Sequence, residues 1–198
     1  MKSTQALPDN YKKILTVDLQ NDKKLAVLVN LLAFLLGVAL IVVRIPFLSI
    51  PLPSFSTPAD LLPYFLRLLA LFLGICLYII LHEATHGVVM RAFGAKHVRF
   101  GFTGLYAYAG SKEDYFGKKA YLVIALSPVL LFGVLLLLLD LLLPIDDGWR
   151  WVIYLIQVQN LSGAAGDLYV TLRFLSLPSD ILVYDEGTAM RVYARSKE

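Results

Sequence analysis

The chain has 198 residues, 58% of them hydrophobic and only 17% charged, with a mean hydropathy of +0.69. Soluble domains carry about a quarter charged residues, so this composition argues against a water-soluble globule and for a chain that meets lipid. A net charge of +3 is too small to point to a nucleic-acid partner, and the single cysteine, Cys76, excludes an intramolecular disulfide.

Residues 1–24 are polar and mixed in charge, with Lys12, Lys13, Lys23 and Lys24. The apolar run that begins near Leu25 has no small-residue cleavage site after it, so it reads as a membrane span rather than a removable signal peptide. Four candidate spans follow in order, at about 25–43, 65–90, 119–143 and 150–173. Each is near or above the roughly 20 residues needed to cross a hydrocarbon core. The second and fourth hold ionisable groups, which a purely lipid-facing helix would exclude.

The connections differ in kind. Pro46, Pro51, Pro53, Pro58 and Pro63 prevent residues 44–64 from forming one regular helix. After the second span, His97-Val98-Arg99-Phe100-Gly101-Phe102 and Leu105-Tyr106-Ala107-Tyr108 flank Thr103-Gly104, the pattern of a β-hairpin or a re-entrant loop. Ser127-Pro128 marks an irregularity in the third span. Beyond Pro178, Ile181–Tyr184 and Met190–Tyr193 flank Asp185-Glu186-Gly187, a second hairpin signal. The expected fold is an all-α membrane protein of about four transmembrane helices, with a small β-hairpin or re-entrant loop after the second.

Lysine and arginine placement sets the expected orientation. Residues 91–119 carry Arg91, Lys96, Arg99, Lys112, Lys118 and Lys119, and the tail carries Arg173, Arg191, Arg195 and Lys197. The 44–64 connection has only Arg44, and 144–149 has Asp146 and Asp147 with no basic residue. Four spans with both ends cytoplasmic satisfy all of these biases. This places a multi-pass domain, 25–175, in the cell membrane between a cytoplasmic segment, 1–24, and a cytoplasmic tail, 176–198.

The second span contains His82-Glu83-Ala84-Thr85-His86, an H-E-x-x-H pattern on a predicted helix. Histidines four apart lie one above the other, so both imidazoles reach one ion, and Zn2+ is the ion expected. Glu83 is turned aside from that face and is placed to act as general base on a zinc-bound water. The plainer alternative is a set of buried polar groups hydrogen-bonded within a helix bundle. Three such groups within five residues of a span would each cost several kcal/mol if unpaired, which favours a functional cluster.

A zinc site with an open position needs a third protein ligand, and the spans offer Asp140 and Asp167. His82, His86 and Asp167 all come out within roughly 15 Å of the cytoplasmic face at 1.5 Å per residue. Asp140 is four residues from Pro144, near the opposite face, which selects Asp167. Asn160, Gly163 and Asp167 share a helical stripe whose small residues permit close helix approach. Asn160 reads either as an interhelical tie or as a substrate or outer-shell contact. Asp140 is expected to pair with Arg67 or Arg150, Cys76 to be an apolar packing residue, and His97 to be structural.

With His82-Glu83-Ala84-Thr85-His86 in one span and Asn160 and Asp167 in a later one, the chain resembles the site-2-protease class of intramembrane metalloproteases, and more narrowly the small bacterial zincin peptidases of that type. The resemblance implies zinc held by His82, His86 and Asp167, Glu83 as catalytic base, and Asn160 assisting the substrate. It also implies a β-hairpin after the metal helix. In larger members prolines stand between the asparagine and the aspartate, where this chain has glycine and alanine.

The expected function is therefore zinc-dependent hydrolysis of a peptide bond in or beside the bilayer, with a peptide or membrane-protein substrate. A catalytically inactive zinc-binding scaffold or regulator is a second possibility, and a small metal transporter a third. Transport would need polar groups through the whole membrane depth, whereas the first and third candidate spans are almost wholly apolar.

Overall fold

A computed structural model describes residues 3–50, 57–104 and 106–196. The chain runs β1 (Tyr11–Asp18), α1 (Lys23–Arg44), a short 3₁₀ turn (Ile45–Phe47), α2 (Pro58–Ala92), β2 (Val98–Phe102), β3 (Ala107–Ser111), β4 (Tyr115–Gly117), α3 (Lys118–Leu142), α4 (Asp147–Gly163), α5 (Ala165–Leu175), β5 (Leu182–Asp185) and β6 (Ala189–Arg195).

Local chemistry sets the helix ends. Asp22 accepts hydrogen bonds from the Lys24 and Leu25 amides and caps α1. At the start of α2 the Asp60 carboxylate reaches back to the Thr57 amide at 2.8 Å, as in a capping box. Gly94, with φ of 99°, closes the C-terminus of α2 while Ala95 donates to the Met90 carbonyl. The expected proline-rich break between the first two spans appears as the 3₁₀ turn and the fresh start at Pro58. Pro51 and Pro53 lie outside the described residues, as does Leu105 in the first hairpin.

Among the described residues, three helices are long and apolar enough to cross a membrane: Lys23–Phe47, Asp60–Ala92 and Lys118–Leu142. Their apolar side chains lie largely open, with Phe65 62% and Phe72 65% exposed. Continuous apolar surface of this extent belongs against lipid, which marks the chain as membrane-associated. The fourth expected span is not one helix. It divides at Ala164 into α4, of 17 residues, and α5, of 11. Gly163 and Gly166 are poor helix formers on either side of the break.

The strands add what the all-α expectation lacked. β2 and β3 form the expected hairpin after the second helix. A second, four-stranded antiparallel sheet has the order β1-β6-β5-β4. Its β5–β6 hairpin was legible in the tail, but β1 falls in the segment read only as polar. Tyr11 pairs with Arg195 and Asp18 with Ala189, a closure between positions far apart in the chain.

The chain divides into two compact units, and the divisions fall within helices. The first comprises 1–30, 80–128 and 166–198 and contains both sheets. Its core gathers Val17, Met90, Phe116, Tyr121, Ile124, Val170, Phe174, Val183 and Val192. Fully burying side chains of this size is worth about 1.5–3 kcal/mol each. The second unit, 31–79 and 129–165, is helical. Within it Gly74 lets Ile156 approach so closely that an added Cβ would lie 2.6 Å from Cδ1.

Candidate metal centre

The first unit brings together His82, His86 and Asp167, one ligand atom from each lying within 4.8 Å of the others. Both histidines are buried on one stripe of α2, their rings 4.9 Å apart and nearly perpendicular. Asp167 stands in the first turn of α5, where the amide end of a helix favours a carboxylate. The break at Ala164 is what creates this first turn. His82 Nε2 is 3.2 Å from Asp167 Oδ2, and His86 Nε2 is 3.5 Å from Oδ1.

Zinc bonds of 2.0–2.1 Å in a tetrahedron place neighbouring ligand atoms about 3.3 Å apart. The two observed separations bracket that spacing. Two imidazoles and one carboxylate also match the donor set of zinc sites that keep an open position. His86 Nδ1 lies 2.9 Å from the Ile124 carbonyl oxygen. A carbonyl only accepts, so Nδ1 donates to it, which leaves Nε2 as the atom that would meet a metal.

Glu83 is half-buried beside this group, and the Ala109 backbone amide in β3 lies next to its carboxylate. Several contacts hold β3 and its partner β2. The Phe100 ring fills the space where Gly87 has no Cβ, and the Tyr108 ring packs against Gly187, whose φ is 96°. That turn is organised by Asp185, which accepts from the Gly187 amide at 2.7 Å and from the Tyr121 hydroxyl at 2.6 Å. Burial pushes the Asp185 carboxyl up to about 6, against the pull of the bonds from Tyr121 and Gly187.

The remaining sequence candidates fall elsewhere. Asn160 belongs to the second unit, where its Oδ1 accepts from the Tyr78 hydroxyl at 3.0 Å and its Nδ2 donates to the Val129 carbonyl at 3.2 Å. Asp140 is buried, with Arg44 at 2.8 Å as its main partner; of the two expected partners Arg150 is within ion-pair range, while Arg67 pairs elsewhere. Arg150 stands 3.9 Å away, and Arg67 pairs with Asp146. The correction has a simple cause: Arg44 ends α1 and reaches Asp140 only through tertiary packing that sequence distance hides. His97 makes a loose, exposed pair with Glu113 at 3.9 Å.

Sequence reasoning missed the Ile124 carbonyl, the Ala109 amide and Asp185. A main-chain group has no residue-type signature, and Asp185 looked like an ordinary turn residue. One usable signal existed, since Pro128 stands four residues after Ile124 inside a helix.

Residues 75–182 match the family described as "Putative zincin peptidase". A protein of Pyrococcus woesei described as "Uncharacterized 24.7 kDa protein in gap 5'region" is 30% identical over 155 residues, covering 73% of this chain. The chain spans only 61% of that relative's length. No solved structure matches the chain.

Proposed function

We propose, from the premise that the chain belongs to the zincin peptidase family, that it is a membrane-embedded zinc metallopeptidase of the site-2-protease kind. The observation that carries the proposal is the convergence of His82, His86 and Asp167 beside Glu83 in a chain with three span-length apolar helices. In this reading those three residues hold the metal and Glu83 is the general base. Zinc bound there supplies Lewis-acid polarisation and a more acidic water.

Glu83 takes a proton from the attacking water and delivers it to the departing amine, leaving a carboxylate and a free amine. The Ala109 amide keeps the Glu83 carboxylate oriented. A peptide must be extended for its carbonyl to be reached, and the edge of the β2–β3 hairpin receives it as an added strand. A part for Asn160 toward the substrate rests on the family resemblance alone; its side chain links the Tyr78 hydroxyl and the Val129 carbonyl. The substrate is a peptide or membrane protein, and both ends of the chain lie on the cytoplasmic side.

The test is Glu83→Gln in the full chain reconstituted in vesicles with single-span reporter proteins. Zinc content is expected to stay at the wild-type level while cleavage falls at least about 100-fold. Cleavage at the wild-type rate would remove Glu83 from the chemistry. Wild-type protein that holds zinc but cleaves no reporter would favour the scaffold reading.

A further inference from the structure

Pro128 lies inside α3 with its side chain fully buried. Proline has no N–H, so the carbonyl four residues earlier, that of Ile124, has no α-helical donor. In an apolar environment a carbonyl left in this way is met by another group. Here two groups meet it: Ser127 Oγ at 2.8 Å and His86 Nδ1 at 2.9 Å. The same histidine presents Nε2 to Asp167 at 3.5 Å.

We infer that Pro128 is a positioning residue of the metal centre: by withholding a main-chain N–H it reserves the Ile124 carbonyl for His86, fixing the tautomer and ring direction that point Nε2 at the ion. The inference rests on the reading of His86 as a ligand. A residue with an N–H at position 128 would compete for the oxygen that orients the imidazole. Ser127 does not displace His86, because a carbonyl oxygen has two lone pairs and accepts both bonds. The irregularity written into the third span thus has a chemical use as well as a geometric one. Outer partners of this kind govern metal affinity because a ligand that must be turned into place binds less tightly.

The experiment uses the full chain in detergent micelles with zinc itself as the probe. Pro128→Ala is expected to lower zinc affinity about 10- to 100-fold in competition with a chelating dye. The unfolding midpoint of the metal-free variant should hold or rise, because the helix regains a main-chain bond. Opposite movements of affinity and stability are the signature, since a purely structural proline would move stability and leave zinc alone. An affinity within about twofold of wild type would overturn the inference.

A second measurement needs no variant. With only three histidines in the chain, ¹⁵N-histidine spectra of the zinc-loaded protein can assign each ring. The inference expects His86 to be protonated at Nδ1 and metal-bound at Nε2, and the reverse arrangement would overturn it. Wild-type affinity in His86→Ala would overturn both this inference and the ligand reading. Loss in His86→Ala with none in Pro128→Ala would overturn only the role of Pro128.

Discussion

Two polar clusters sit among the apolar helices, and they are built on opposite plans. In the second unit Asp140 faces Arg44 at 2.8 Å, with Arg150 at 3.9 Å, so anion and cation complete one another. In the first unit His82, His86 and Asp167 turn three electron-pair donors toward a common point. Among the described residues no arginine or lysine forms an ion pair with Asp167, so a proton or a metal ion must reconcile the three. The contrast gives a rule for reading buried polar groups in such chains: complementary charges make a tie, and converging donors make a ligand site.

The largest expected effect separates the two directly. Asp167→Ala should reduce bound zinc from about one ion per chain to below about a tenth, while Arg44→Met leaves the metal content unchanged. Metal analysis of the two purified variants checks this, and metal loss in Arg44→Met would break the comparison. Stability should respond in the reverse order. Arg44→Met should cost about 3 kcal/mol in denaturant unfolding, the low end for a broken buried pair because Arg150 remains close to Asp140. Adding Asp140→Leu should recover most of that loss, since an apolar pair leaves no uncompensated charge. If the double variant were less stable than the single, the tie would be more than charge complementarity.

Asp185 is an intermediate case, a buried carboxylate held by a hydroxyl and an amide, with no ion pair among the described residues. Its carboxyl is raised to about 6 from an ordinary 3.8, so folding favours the protonated form. The stability contributed by that proton is fully present below the ordinary range and is lost as pH rises through 6. Between pH 7 and pH 5 the wild type should gain about 1 kcal/mol relative to Asp185→Asn, read from paired unfolding curves. A pH-independent difference would show that Asp185 does not titrate between pH 5 and pH 7.

The metal motif was legible because helical spacing is local: four residues between His82 and His86 fix their common face before any folding is considered. The nearness of Asp167 to the two histidines was expected at one remove, from a depth argument based on lysine and arginine counts, and the three do lie together. Three features escaped because their partners are distant or belong to the main chain. β1 reads as polar because only Leu15 and Val17 alternate, and β6 completes it from the other end of the chain. The break at Ala164 escaped because the small residues from Gly163 to Gly166 read as close helix packing rather than as a helix end. The Ile124 carbonyl escaped because only the side-chain consequence of Pro128, a kink, is visible in a residue code.

The pairing of β1 with β6 also orders events in time. During synthesis β1 emerges early and stays unpaired until Ala189–Arg195 follows, so its sheet is among the slowest contacts to close. The candidate metal centre is completed late as well, since three strands and all of α3 and α4 separate the two histidines from Asp167. A nascent chain therefore holds both histidines through the synthesis of two further helices before Asp167 follows. The candidate centre is thus assembled only after α3 and α4 have been made, and the sheet closes later still.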